Sequence, residues 1–242
     1  MHERPWSSWQ GNALIVGSGG IGRALAEGLP SHAPALKVWT AGRREGGDHH
    51  LQLDLEEERS VERFTARVRD QVGSLRLVIC TAGLLHEGSL QPEKRLSQVR
   101  LAHLQRSFAV NAWGPLLLAQ AIEPLLPRDV PSHFASLSAR VGSIGDNRLG
   151  GWYAYRAAKA AQNQFLTTLA LEWRRRLPLV CVTLLHPGTT ATPLSEPFRS
   201  SVVPGTLFTP AESAERLLTV LAGQSPERSG AFLAWDGRTI PW

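Results

Sequence analysis

The sequence predicts an α/β fold: a doubly wound parallel sheet with helices on both faces, three layers (α/β/α) deep, in a single domain spanning residues 1–242. Three observations predict it. Short apolar runs alternate with stretches of helical spacing along the whole chain, the order of a parallel sheet built from βαβ units. The first apolar run leads at once into a glycine-rich turn and then a helical stretch. The alternation is not interrupted by an internal repeat, a low-complexity tract or an interdomain linker.

The first strand is read at residues 12–16, and Gly17-Ser18-Gly19-Gly20-Ile21-Gly22 follows it, ahead of a helix at 23–29. Strand, glycine-rich turn and helix form the context of a dinucleotide site. Glycines let the backbone approach a pyrophosphate, and the helix N-terminus faces its charge. A second strand at 36–40 runs into Ala41-Gly42-Arg43-Arg44. An acidic residue here would bind the ribose hydroxyls of NAD(H). Two arginines stand instead, and an arginine pairs with a 2′-phosphate, which points to NADP(H).

Residues 51–55 alternate as a half-exposed strand does. Asp54, with Leu55 beside it, is placed against the adenine; Asp54 reads equally as the N-cap of a helix over 56–70. The strand at 75–80 ends in Thr81-Ala82-Gly83, small residues that permit a ligand's close approach where open α/β sheets bind ligands. The helix from 101 onward carries Asn111, a poor helix former that is either solvent-facing or functional. A strand at 133–138 is left by a loop through 143. A strand at 179–185 closes with residues 186–192, and residues 193–210, rich in Pro, Ser and Phe and without a period, form a substrate loop or lid. A helix at 210–222 and a strand at 230–235 complete the order.

The helix that opens near Gly151 and runs to about residue 176 carries Tyr155 and Lys159, four apart and therefore on one face. A phenol's ordinary pKa of about 10 is too high for proton exchange near neutrality. A nearby cation favours the phenolate and gives a general acid/base. A Tyr and a Lys at this spacing are also compatible with a plain surface helix.

Bulk properties exclude several classes. The longest apolar runs fall short of the roughly 20 residues that cross a bilayer, and residues 1–5 show no signal core. Cys80 and Cys181 lie in apolar runs and read as buried thiols in a reducing cytoplasm. No Cys or His cluster has ligand spacing, so no metal is expected. The formal charge of +5 is scattered. It suits a polyphosphate cofactor, and a nucleic-acid partner is not expected. Trp6, Trp9, Trp113, Trp152, Trp173 and Trp242 read as core or subunit-contact residues.

Taken together, these motifs resemble the short-chain dehydrogenase/reductase family over nearly the full chain. Residues 138–144, 151–161 and 234–242 resemble most the branch of C-factor-like proteins and small carbonyl reductases. The resemblance implies a Rossmann fold and assembly as a homodimer or homotetramer through the helices around Asn111 and Tyr155. It makes Tyr155 the proton donor to a carbonyl oxygen. Lys159 lowers the phenol's pKa and holds the nicotinamide ribose, and Asn111 fixes a water in a proton relay. Pro187, Gly188, Thr190 and Thr192 match the loop that contacts the nicotinamide amide, and Gly17, Gly19 and Gly22 match the pyrophosphate loop.

Three departures from the family pattern stand out. Only Ser18 and Gly19 separate Gly17 from Gly20-Ile21-Gly22, one residue fewer than usual. Residues 80–83 lose the side-chain hydrogen bonds of the family's Asn-Asn-Ala-Gly. An ungapped alignment puts Ala139 where the catalytic serine stands, leaving Ser138 or Ser143 to act, with Ser138 preferred. The expected activity is interconversion of a small-molecule carbonyl and alcohol with NADP(H). The alternative is a cofactor-binding sensor or signalling protein with little or no catalysis.

Overall fold

A computed structural model describes residues 6–44, 46–203 and 205–242. The readings made for residues 1–5, and the part of the expected lid at Pro204, lie outside the described residues. Among the described residues the strands are β1 (Gly11–Val16), β2 (Leu36–Gly42), β3 (His50–Gln52), β4 (Leu75–Cys80), β5 (Ser132–Leu137), β6 (Val180–His186), β7 (Thr189–Thr190), β8 (Leu207–Phe208) and β9 (Ala231–Ala234). The helices are α1 (Gly20–His32), α2 (Glu58–Arg67), α3 (Leu101–Phe108), α4 (Gly114–Ile122), α5 (Tyr153–Arg176) and α6 (Pro210–Ala222).

Seven strands form one parallel sheet in the order β3-β2-β1-β4-β5-β6-β9, and β7 pairs with β8 outside it. Both faces of the sheet are covered, so its strands are near-continuous apolar runs whose alternate residues enter opposite cores. Leu14, Val16, Val78, Phe134 and Leu184 face Leu166 and Trp173 of α5. Ala13, Ile15, Ile79 and Leu185 face Leu25 and Leu29 of α1 and Leu217 of α6. Trp6 and Trp173 are core residues, whereas Trp113 and Trp242 are exposed. The strand order reverses between β1 and β4, and such a switch point opens a crevice at the strands' carboxyl ends.

Several expected boundaries move, each for a local reason. The third strand is only His50–Gln52, because the chain turns at Asp54. There the Asp54 N–H donates to Ser60 Oγ (2.9 Å), and its carboxylate accepts the Glu56 N–H (3.0 Å). Helix α2 consequently starts at Glu58 and closes in a π turn at Val68–Val72. The helix expected from residue 101 is α3 and α4 joined by a π turn, Ala109–Trp113. The expected lid carries a 3₁₀ turn, Glu196–Ser201, and β8.

Candidate active site

The turn after β1 is shaped by what a side chain would strike. A Cβ on Gly17 (φ +112°) would lie 2.3 Å from Thr81 Oγ1, and one on Gly22 only 1.9 Å from the Gly17 carbonyl oxygen. Glycine is required at both positions, and it brings α1 hard against β1. At Gly19 the added atom would meet nothing within 4 Å, so the backbone is open there. Gly19 is also the N-cap of the 13-residue α1 and makes no side-chain cap. First-turn N–H groups and the helix dipole are thus left for an anion. An open glycine cradle at an uncapped helix start fits the pyrophosphate of a dinucleotide. The Thr81 hydroxyl donates to the Val16 carbonyl (3.0 Å) and lies 3.3 Å from that of Gly17, which ties the end of β4 to the glycine turn.

Strand β2 ends against this turn, since a Cβ on Gly42 would sit 3.1 Å from Ser18 Oγ. Arg43 and Arg44 are exposed just beyond. Arg43 lies 3.9 Å from Glu87, whose other oxygen pairs with Arg106 at 2.8 Å. The Arg44 carbonyl is bonded to His50 (2.8 Å). Of the two readings of Asp54, the carboxylate makes the helix-approach bond described above. Leu55 is core, packed against Gly114.

Helix α5 begins in an unusual way. Its N-cap, Trp152, has φ 53° and ψ 44°, and it is the single non-glycine residue at positive φ among those described. Its N–H donates to the Glu93 carbonyl (2.5 Å), and the Ala154 N–H donates to the Glu93 carboxylate (3.2 Å). A buried acid 61 residues away therefore caps the helix, where the dipole favours negative charge. Arg156 fastens the preceding loop through the carbonyls of Gly151 (3.0 Å) and Val141 (3.3 Å).

One turn further in, Tyr155 and Lys159 are both buried. Lys159 Nζ lies 5.8 Å from the centroid of the Tyr155 ring. It donates to the Leu137 carbonyl and to Gln162 Oε1, both at 2.9 Å. Burial disfavours the charged form of each group. The phenol is accordingly pushed above its ordinary value, and the ammonium is lowered to about 8. The expected lowering of the phenol by its neighbour is overridden by desolvation in this arrangement.

Asn111 is fully buried inside the π turn. Its amide donates to the Leu84 carbonyl (2.7 Å) and accepts the Leu84 N–H (2.9 Å), so the solvent-facing reading is set aside. Its Oδ1 is 3.6 Å from where a Cβ on Gly83 would be, which places it beside the end of β4. Ser138 is buried and donates to Asn163 Oδ1 (2.6 Å), while Ser143 Oγ accepts the Asp146 N–H (3.1 Å). The Ser138 proton is engaged within the protein, whereas Ser143 is engaged as an acceptor.

After β6, the Pro187 carbonyl accepts from Ser213 (3.1 Å), and Gly188 (φ +74°) lies against Phe208 and Trp235. Thr190 is buried, and Thr192 Cγ2 comes within 3.0 Å of a Cβ placed on Gly20. The 3₁₀ turn beyond reaches over to α5, with Phe198 5.0 Å from Trp152 and 6.2 Å from His86. Trp152 in turn lies 6.3 Å from Tyr155.

The fold thus sets the glycine turn against Thr81 and Thr192, Gly83 beside Asn111, and Lys159 beside Tyr155. The Ser138 hydroxyl and the Asp54 carboxylate are committed elsewhere. Glu93, Gln162 and the left-handed Trp152 were not legible in the sequence. A glutamate in a loop and a glutamine in a helix carry no local signal; Gly150-Gly151 before Trp152 was the one hint of an unusual helix start.

The chain belongs to the short-chain dehydrogenase family, whose model matches residues 11–202. Among its relatives, the 1-hydroxy-2-glutathionyl-2-methyl-3-butene dehydrogenase of Rhodococcus sp. (strain AD45) is 33% identical over 197 residues, 78% of each chain. The C-signal protein of Myxococcus xanthus is 36% identical over 148 residues, 61% of this chain and 83% of that one. Among solved structures, NADPH-bound carbonyl reductase from chicken fatty liver superposes with a TM-score of 0.83 at 23% identity, covering 97% of this chain and all of that one. The carbonyl reductase Sniffer of D. melanogaster superposes with a TM-score of 0.82 at 21% identity, with the same coverage.

Proposed function

We propose that this oxidoreductase interconverts a small-molecule carbonyl and its alcohol with NADP(H), with Tyr155 as the general acid/base. The observation that carries the reading is the pairing of Tyr155 with Lys159 on α5, in a fold that also has the buried Asn111 beside the end of β4 and an open glycine cradle after β1. The nicotinamide, when bound, supplies or accepts the hydride. Residues 17–22 hold the pyrophosphate and Arg43 the 2′-phosphate. Residues 81–83, Pro187, Gly188, Thr190 and Thr192 line the remainder of the cofactor's path.

Tyr155, neutral because it is buried, donates its phenolic proton to the carbonyl oxygen in reduction and takes it back in oxidation. Lys159 stabilises the phenolate left behind, and Asn111 connects the site to a proton supply through water. Ser138 acts on the substrate oxygen only after exchanging its bond to Asn163. Phe198, Trp152 and Leu194 make the substrate wall apolar. The protein works as a homodimer or homotetramer in the cytoplasm.

A titration of NADPH against NADH, followed by nucleotide oxidation with a panel of ketones, aldehydes and quinones, tests this reading. Tighter binding of NADPH and turnover of at least one carbonyl are expected; NADH preference or the absence of any nucleotide binding contradicts it. The second reading, a cofactor-binding signalling protein, is favoured by the internal commitment of the Ser138 hydroxyl proton to Asn163. It predicts tight NADPH binding with no turnover across the same panel.

A further inference from the structure

The strongest unexplained feature of the site is the polar chain beneath Lys159. A lysine ammonium that is 2% exposed has three N–H donors and needs acceptors inside the core. The Leu137 carbonyl supplies one and Gln162 Oε1 another, both at 2.9 Å. Gln162 is itself fully buried and fixed from its other end. Its amide nitrogen donates to Ser136 Oγ (2.7 Å) and lies 3.2 Å from the Leu137 carbonyl. Ser136 in turn stands opposite Cys80 in the β4–β5 register. Those bonds fix the amide's orientation, with its oxygen towards the ammonium and its nitrogen towards the sheet. A purely apolar core would have served packing at this position, so the amide's contribution is its dipole.

We propose that Gln162 is a positioning residue for Lys159: together with the Leu137 carbonyl it takes two of the ammonium's three donors, and it leaves the third for Tyr155 and the cleft. The glutamine thereby sets both where the ammonium sits and how firmly it holds its proton. The titratable groups facing that ammonium are Tyr155 on its own helix and Cys80 on β4. Leu137 of β5 and Gly142, which packs against the lysine's Cβ, bring no charge.

The consequence for catalysis rests on the proposed role of Tyr155, but the test need not. The chain has three lysines, Lys37, Lys94 and Lys159, so the full-length protein labelled with ¹³C at lysine Cε gives three signals, two of them internal references. In the wild type the Lys159 signal is expected to titrate near pH 8. Gln162→Met keeps length and removes the acceptor; it should lower that midpoint by about one pH unit or more. Gln162→Glu places a carboxylate against the ammonium and should raise the midpoint by a similar amount. Opposite shifts support the proposal. An unchanged midpoint in both variants, or movement in the same direction, overturns it, and the Glu variant keeps the test open where Met disturbs folding. The basic limb of the carbonyl-reduction rate should follow the lysine midpoint. Lysine midpoints that move while that limb stays fixed support the role of Gln162 and contradict that of Lys159 in catalysis.

Discussion

At the scale of single residues, burial does more to the site than charge pairing does. Tyr155 and Lys159 are both driven towards their neutral forms by the same desolvation. A neutral phenol is the form that donates a proton, so carbonyl reduction suits the site as it stands. Its rate is expected to fall as pH rises through about 8, where the ammonium is lost; a pH–rate profile checks this. Arg43 is exposed beside the end of β2, and a 2′-phosphate offers it a stronger partner than Glu87 at 3.9 Å. Arg43→Ala should weaken NADPH binding by roughly tenfold or more while leaving NADH unchanged, measured by fluorescence titration. Spacing made Tyr155, Lys159 and the glycines legible. The engagement of Ser138 by Asn163, and of Lys159 by Gln162, depends on residues brought together only by packing.

At the scale of elements, helix starts decide the geometry. Helix α6 opens on a capping box, Thr209 with Glu212, that is local and readable from sequence. Helix α5 opens instead on Glu93, which no window around Tyr155 contains. Glu93→Ala removes a buried acceptor from the first turn and should cost about 1–3 kcal/mol. Hydrogen exchange at residues 153–155 should quicken more than in β5, and equal quickening throughout would contradict the local role. The long helix expected from residue 101 was legible as helical, but its π turn was not. Asn111 signalled an irregularity there, and the turn is what carries its amide inward to Leu84. Residues 51–55 alternated as a strand does, yet after the Leu53 N–H bonds the Gly42 carbonyl (2.8 Å) the Asp54 N–H turns to Ser60 Oγ and pairing stops.

At the scale of the whole molecule, alternation of apolar and helical stretches sufficed to give the strands of a parallel sheet covered on both faces, while their order comes from the structure. What the alternation could not give is the set of buried polar groups that the two cores accept. His133 and His186 are each lowered to about 4 by burial. Above the unfolded-state value of about 6.5 neither group costs stability. As pH falls from there towards 4, the unfolded chain takes up protons that the folded one refuses, and stability is lost. For each the loss approaches about 3 kcal/mol once pH has fallen past the folded value. Urea midpoints should therefore drop between pH 7 and pH 4.5, and His133→Gln should flatten part of that slope.

Tyr155 is the group proposed to move the proton. Its most direct test is the reduction rate of Tyr155→Phe, measured with the dissociation constant for NADPH on the same preparation. Loss of rate by orders of magnitude, with NADPH binding within a few fold of wild type, is the predicted result. A variant that binds NADPH and still reduces its carbonyl at the wild-type rate would contradict it.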